Sequence, residues 1–413
     1  MQAVILAAGK SSRFYPFTAL AHKSMLSMFG KSLLQHTLES LKKSSITKVI
    51  IIIGKNSSIP QDLERISGMD ITYVTQSESL GMGHGLLSAK EYLEDTFLLL
   101  SGYHVDVSEF AHDLSRKKDT VTLLVKKESG VGKFGVVETE GRKVISVTEK
   151  PEEENREKLR IISIYQLTKS FVSFLATLPI EEYHFEKALD AYAKDNTVLF
   201  VETKKSTVSL KNTWDILEIK NYMLSTIQRK ISSKARIAKS AILDGDVFIS
   251  DNVTILENAV VKGPCYLGEN VTVGTNAILR NGVVAEKDVV IGATMEVKNS
   301  LLMTGVTTHT GFIGDSIIGA HSRLAAGFCS ANVRFDRKGV VSVVKGKEVN
   351  TQRVHFGAVL GEQVDTGVNV ATMPGVHIGN KVRIGPATVV MKNVEDNKLV
   401  YTKFETVIKQ NNE

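Results

Sequence analysis

Two cysteines in 413 residues, Cys265 and Cys329, are too few for a disulfide framework. Long apolar runs are also missing, and none approaches the roughly 18 residues that a helical membrane span requires. The strand-like start at Met1 leaves no room for a signal peptide, so the chain reads as cytoplasmic, with no membrane partner. No segment is compositionally biased and no basic run carries interleaved aromatics, which argues against nucleic acid as a partner. A formal charge of +6 is mild for this length and suits anionic small molecules. With 43% hydrophobic and 23% charged residues the composition is globular, and the length calls for two domains rather than one core.

What is present is a six-residue period from Ala235 to Val306. Its first position reads Ala235, Ala241, Val247, Val253, Ala259 and Cys265, and continues to Met295 and Leu301. Its third reads Ile237, Leu243, Ile249, Ile255, Val261 and Leu267, and continues to Val297 and Met303. None of these is polar. Gly268, Gly274 and Gly292 hold the fourth position, where a corner favours a residue without a Cβ. A period of six is too short for helical repeats and matches a parallel β-helix. Three units close one coil of 18 residues, and coils stack at about 4.8 Å.

Two features break the repeat. The pattern resumes at Ser316 after a shift of three residues, so Thr307–Phe312 is expected to leave the coil. An insertion of roughly Phe328–Gly357 follows before the sixes return at Ala358, and such insertions usually sit on a binding face. Lys262, Arg280 and Lys298 share the fourth position one coil apart and are expected to stack on one corner. Like charges at that spacing repel unless an anion lies between them.

The first half has another rhythm. Ala3–Ala8 is strand-like and leads into Gly9-Lys10-Ser11-Ser12-Arg13, small residues whose N–H groups can converge on phosphate. A helix at Ser32–Lys43 and strands at Lys48–Gly54 and Ile71–Thr75 continue in the order of a Rossmann-like parallel sheet.

The string from Leu6 through Arg13, Pro16, Thr18 and Lys23 resembles the opening signature of the sugar-1-phosphate nucleotidyltransferases, L-A-A-G-x-G-x-R-x-x-P-x-T followed by Lys. The resemblance implies a nucleotide site at Leu6, Ala7, Ala8, Gly9, Arg13 and Lys23, with Arg13 and Lys23 facing the triphosphate and the sugar phosphate. Gln76 and Gly81-Met82-Gly83-His84-Gly85 resemble the base-reading segment, which implies roles for Gln76 and Gly81. Segments around Gly135 and Glu149 resemble the sugar site, and Trp214-Asp215-Ile216-Leu217 resembles the end of a domain placed at 1–228. There are departures. Tyr103 stands where the family carries the Asp that holds Mg²⁺, Ser209 replaces the second ligand, and Ile161 replaces a sugar-site Asn. Mg²⁺ wants hard oxygen ligands, so no convincing metal site is expected unless Asp106 moves in.

Residues 229–413 resemble the acetyltransferase half of the bifunctional N-acetylglucosamine-1-phosphate uridylyltransferase / glucosamine-1-phosphate acetyltransferase family. Leu279-Arg280, Glu296-Val297-Lys298 and His309–Asp315 carry the likeness. The left hand of the β-helix comes from that family, since crossover rules favour the other. The resemblance implies His309 as general base, Arg280, Lys298 and Asn332 on the sugar phosphate, and Gly367 and Pro386 in an acetyl-CoA groove. It also implies a homotrimer with sites between subunits. Phe312 replaces a phosphate-contacting Tyr, and Ala325-Ala326-Gly327-Phe328 narrows the site. The expected protein is an α/β Rossmann-like nucleotidyltransferase domain followed by a left-handed parallel β-helix. Its expected activity is acetyl-CoA-dependent N-acetylation of an amino-sugar 1-phosphate. UTP or another NTP, and Mg²⁺, enter only if the first domain is active. The alternatives are a nucleotidyltransferase with a structural β-helix, and a regulatory paralogue that assembles with an active relative.

Overall fold

Unbroken apolar runs such as Val49–Ile53 and Phe97–Leu100 suit strands covered on both faces, and they form two buried strands of the sheet in the first of two units in a computed structural model of the chain. The first unit comprises Met1–Ser11, Leu20–Leu26 and Lys31–Ser209, and the second Ser12–Ala19, Ser27–Gly30 and Leu210–Glu413. The structure describes residues 1–17, 22–63, 65–132, 134–151 and 156–410. Thr18 of the opening signature lies outside them. The sequence-based boundary at 228/229 falls one helix later than this division.

The strands of the first unit are β1 (Gln2–Ala7), β2 (Lys48–Gly54), β3 (Asp70–Gln76), β4 (Thr96–Ser101), β5 (Val121–Glu128), β6 (Gly135–Glu140), β7 (Lys143–Glu149), β8 (Lys158–Thr168) and β9 (Val198–Glu202). Their spatial order is β3-β2-β1-β4-β8-β5-β9-β7-β6. β1 to β4 are parallel, and β8 runs antiparallel to β4. Alternation sorts the side chains. Ala3, Ile5, Ile51 and Leu100 join Leu34, Leu38 and Leu41 of α1 (Leu33–Lys43) on one face. Val4, Ile52 and Leu99 join Leu86 of α2 (Met82–Ser88) and Phe185 and Leu189 of α3 (His184–Asp195) on the other. Ser32 caps α1 by accepting from Gln35 N at 3.1 Å, which fixes where the helix starts.

The second unit is a prism of three parallel sheets. Strands one coil apart stack in register, as in Val247↔Cys265 and Cys265↔Val283. The inner positions Val247 to Val297 fill its core as the hexads predict. Corners take left-handed backbone at Asn252, Asn258, Asn270 and Asn276, with φ of 56–60°, a conformation that asparagine tolerates. The fourth-position glycines answer a different need. A Cβ on Gly292 would lie 1.8 Å from the carbonyl oxygen of His309 in the next coil.

One expectation is corrected. Thr307–Phe312 does not leave the coil, because Thr307–Thr308 and Gly311–Gly314 pair with strands on both sides. The shift of three residues is instead spread over three corners. Pairing intervals shrink from 18 at Cys265↔Val283 to 17 at Val284↔Leu301 and 16 at Met295↔Gly311. Leu302 and Val306 therefore point inward in place of Met303 and Thr307. Asn299 and Asp315, with φ of 44° and 50°, turn the tightened corners. Serines stand behind them: Ser300 Oγ accepts from Ser316 N at 3.0 Å, and Ser316 Oγ from Ala358 N at 3.0 Å.

The chain leaves the stack after Ser330, forms a hairpin of Val341–Val344 with Lys347–Asn350, and returns at Val359–Leu360. Ser342 Oγ ties the hairpin to the Gly375 carbonyl at 2.7 Å. α4 (Asp215–Thr226) and its approach pack against the prism in the same unit. Thr213 meets His377 at 3.1 Å, and the Trp214 and Phe356 rings pack edge to face at 6.1 Å.

Glu286 supplies a pH-dependent link in this unit. Its buried carboxylate accepts from Phe29 N at 2.5 Å and Gly30 N at 2.8 Å. Burial raises its pKa from 4.5 to about 7, against the pull of those two N–H groups. The folded state therefore holds the proton more tightly, and stability is lost as pH rises from about 4.5 through about 7. That loss is about 3 kcal/mol. Glu286→Gln should flatten the pH dependence of the unfolding free energy across this interval. Equal slopes for the two proteins in urea titrations would assign the effect to another group.

Candidate active sites

In open parallel sheets ligands bind beyond the carboxyl ends of the strands. In the first unit that edge carries Leu6 and Ala7 at the end of β1, then Ala8 and Gly9. Ser79, after β3, donates to the Ala8 carbonyl at 3.2 Å, and Lys23 N donates to Ser11 Oγ at 3.0 Å. His22 is buried against Ser24, and burial beside Lys23 lowers its pKa to about 3, so the ring is neutral. These contacts bring Leu6–Gly9 and Lys23 to one edge. Arg13 is counted in the second unit, where Tyr15 donates to the Val394 carbonyl at 2.8 Å and Asn380 to that of Pro16 at 2.9 Å. Gln76 is buried, and its Nε2 contacts the Gly81 carbonyl at 3.1 Å and His84 Nδ1 at 3.0 Å, which holds the turn at Gly81.

Gly135 and Glu149 are register partners, and a Cβ at 135 would meet Glu149 Oε2 at 2.9 Å. The phenol of Tyr165 is raised well above 10.0, by burial first and then by Glu186 and Glu149. A cleft of about 480 Å³ opens between Ser79–Gly83 and Ile180–Glu186.

The metal question can be tested on geometry. Tyr103 is buried, with the Lys23 ammonium 4.8 Å from its ring centre. Asp106 is fully buried and committed elsewhere: Oδ2 accepts from Val208 N at 3.0 Å and Oδ1 faces His104 Nδ1 at 3.3 Å. It is no substitute ligand. Among the described residues no three His, Cys, Asp or Glu side chains gather to hold a metal. A phenol at 103 and a hydroxyl at 209 do not fit Mg²⁺.

In the second unit Arg280 and Lys298 are adjacent in register, one coil apart. Each has its own carboxylate. Arg280 Nε bonds Glu296 Oε1 at 2.7 Å, and Lys298 Nζ bonds Asp315 Oδ2 at 2.9 Å. Between Arg280 and Lys298 these carboxylates relieve the repulsion without a bound anion. Asn332 Nδ2 also donates to Asp315 Oδ2. Phe312 and Asn332 both abut Gly314, where a Cβ would meet them at 2.5 and 2.8 Å.

Beside this cluster lies a cleft of about 710 Å³ whose wall includes Lys298, Asn299, Asp315, Arg353 and His355. Arg353 and His355 escaped the sequence reading, because the insertion that carries them has no period. His309 is exposed on the corner before Gly311–Gly314 and is not part of that wall. Gly367 and Pro386 touch through the stack, since a Cβ on Gly367 would lie 2.6 Å from Pro386 N.

A family profile described as Nucleotidyl transferase matches residues 2–215, and one described as Bacterial transferase hexapeptide (six repeats) matches 246–281. The chain is 33% identical to the bifunctional protein GlmU of Methanococcus vannielii, covering 100% of both chains. It is 38% identical to that of Methanococcus maripaludis, covering 99% of both. It is 29% identical to the bifunctional sugar-1-phosphate nucleotidylyltransferase/acetyltransferase of Sulfurisphaera tokodaii, covering 95% of this chain and 98% of that one. With both profiles in the order of the two units, and relatives above 30% identity matched end to end, the chain belongs to the bifunctional GlmU family of transferases, which join a nucleotidyltransferase domain to a hexapeptide-repeat, left-handed β-helix domain.

Proposed function

We propose that the second unit transfers the acetyl group of acetyl-CoA to the amine of an amino-sugar 1-phosphate of the glucosamine-1-phosphate type. The observation that carries this reading is the cleft whose wall includes Lys298, Arg353 and His355 beside Asp315. Three cationic or ionisable donors on one wall suit a phosphate monoester, and this reading adds Arg280, beside Lys298 in register, and Asn332, bonded to Asp315. The sugar amine attacks the thioester carbonyl carbon, the new C–N bond replaces C–S, and the sulfur leaves as the thiol. His309 takes the amine proton, a transfer that suits an imidazole. Holding the phosphate fixes the amine's approach, which is an orientation effect. Gly367 and Pro386, on the later coils, would line the groove that holds acetyl-CoA.

His309 stands apart from the cleft wall, so this reading places each complete site between copies of a cytoplasmic homotrimer. Support comes from the apolar side chains that one chain leaves bare, among them Ile242, Phe335, Phe404 and Ile408. Among the described residues no helix is long and apolar enough to cross a membrane.

The second reading concerns the first unit, which retains the nucleotide and sugar segments but not the metal ligands. It takes UTP or another NTP and a sugar 1-phosphate with little or no turnover, which leaves it a binding or regulatory role.

Three outcomes test these readings. With glucosamine 1-phosphate, acetyl-CoA, UTP and Mg²⁺ supplied together, thiol should be released while pyrophosphate appears far more slowly than about 1 s⁻¹. Tyr103→Asp combined with Ser209→Asp should speed pyrophosphate release, and rapid release by the wild type would show that the metal site lies elsewhere.

His309→Ala should lower kcat for acetyl transfer by about 10²–10⁴ with acetyl-CoA binding unchanged. Arg280→Ala and Lys298→Ala should instead raise KM for the sugar phosphate. Full activity without the imidazole would remove His309 from the chemistry.

Light scattering at micromolar concentration should give trimers. A monomer that still transfers acetyl groups would refute the shared site.

A further inference from the structure

Lys220 of α4 is fully buried, and its Nζ donates to the Gly282 carbonyl and, at 2.9 Å, to Asn299 Oδ1. Asn299 passes the contact on: its Nδ2 donates to Asp315 Oδ1 at 2.7 Å. The other oxygen of Asp315 receives Lys298 Nζ and Asn332 Nδ2. A continuous hydrogen-bonded chain therefore runs from inside the unit to the cleft wall, through a helix, two successive coil corners and the start of the insertion.

Burying an amine is costly unless it is bonded, and packing alone would be served at this position by methionine or leucine. The two acceptors around Lys220 also match what either protonation state can supply. Burial lowers its pKa to about 7, with Asp315 and Cys265 opposing the shift and Arg353 adding to it. A neutral amine still offers two N–H groups, so both bonds persist whether or not the proton is present.

Asp315 is the member that needs holding. Its two oxygens face different partners, Asn299 on one side and Lys298 with Asn332 on the other. Rotation about the carboxylate would change how tightly Lys298 is held. We propose that Lys220 is a positioning residue of the sugar-phosphate site, acting through Asn299 to orient Asp315 and thereby Lys298 and Asn332. The link to sugar phosphate rests on the acetyltransferase reading above.

Two variants of the full chain test this. Lys220→Met removes the origin of the chain. Asn299→Gly removes its middle while suiting the positive φ of 44° at that corner. The first readout needs no substrate: trace acetylation by acetic anhydride, with Lys298 quantified by mass spectrometry against the exposed Lys262. Lys298 should react about threefold faster or more in each variant, and the double variant should match the singles rather than multiply them. The second readout is kinetic. KM for glucosamine 1-phosphate should rise about tenfold while kcat stays within about twofold. An unchanged Lys298 rate in Asn299→Gly overturns the proposal even if Lys220→Met fails to fold. If Lys298 responds as expected but the wild type neither binds nor acetylates glucosamine 1-phosphate, the substrate reading fails and the positioning role stands.

Discussion

Each coil of the second unit hydrogen-bonds along its length to the coil above and the coil below, so every residue has a fixed neighbour one turn away. That constraint decides more of this molecule than any single contact. It makes Gly319 obligatory, because a Cβ there would lie 2.2 Å from the Gly361 carbonyl oxygen, and it explains Gly367 beneath Pro386 without reference to a ligand. It places Arg280 beside Lys298 and aligns the corner asparagines, where Asn270 Nδ2 reaches Asp288 Oδ1 at 2.8 Å. The cleft inherits its geometry from the same stacking. Asn299 and Asp315 face one another because they occupy the same corner of successive coils.

The two units handle charge differently. In the first, the groups considered for substrate or metal binding are engaged with their own protein. The Lys23 ammonium lies over the Tyr103 ring, Asp106 is held by Val208 N, and the Gln76 amide is used on its own turn. In the second, cations are paired yet stay at a surface: the Lys298 side chain keeps 16% exposure beside an Asp315 at 3%. A pair of this kind exchanges a carboxylate for a phosphate oxygen more readily than a fully enclosed one does, because less desolvation must be undone.

Legibility in the sequence followed the same division. Val247 to Val297 could be read directly, since one role recurs at one spacing. The central strands of the first unit were equally plain from their apolar runs. The three-residue shift was visible but misplaced, because one residue lost at each of three corners leaves no local signature, whereas a looped-out segment and a distributed loss give the same total. Asn252, Asn258, Asn270 and Asn276 all fall at the sixth position of their units, where the corner takes left-handed backbone. Lys220, Arg353 and His355 had no signal at all. They lie outside the repeat, and their importance arises only when a helix and an insertion fold back onto the same corner. Asp106 failed as a metal ligand for a similar reason, since the N–H that holds its Oδ2, that of Val208, comes from a segment about a hundred residues away.

The shortened coils and the long excursion differ in what the fold can tolerate. Between Val297 and Ile318 the chain must keep count. A residue lost at a corner is absorbed there, as the chain's own paired strands at intervals of 16 and 17 show, whereas one lost within a strand turns the side chains beyond it to the other face. The excursion after Ser330 begins and ends on the stack, with Ser330 over Thr372 and Ile318 over Leu360. Its length is therefore independent of the phase of the coils. A change in its length would alter the Arg353 and His355 side of the cleft, while Lys298, Asn299 and Asp315 keep their places in the coils.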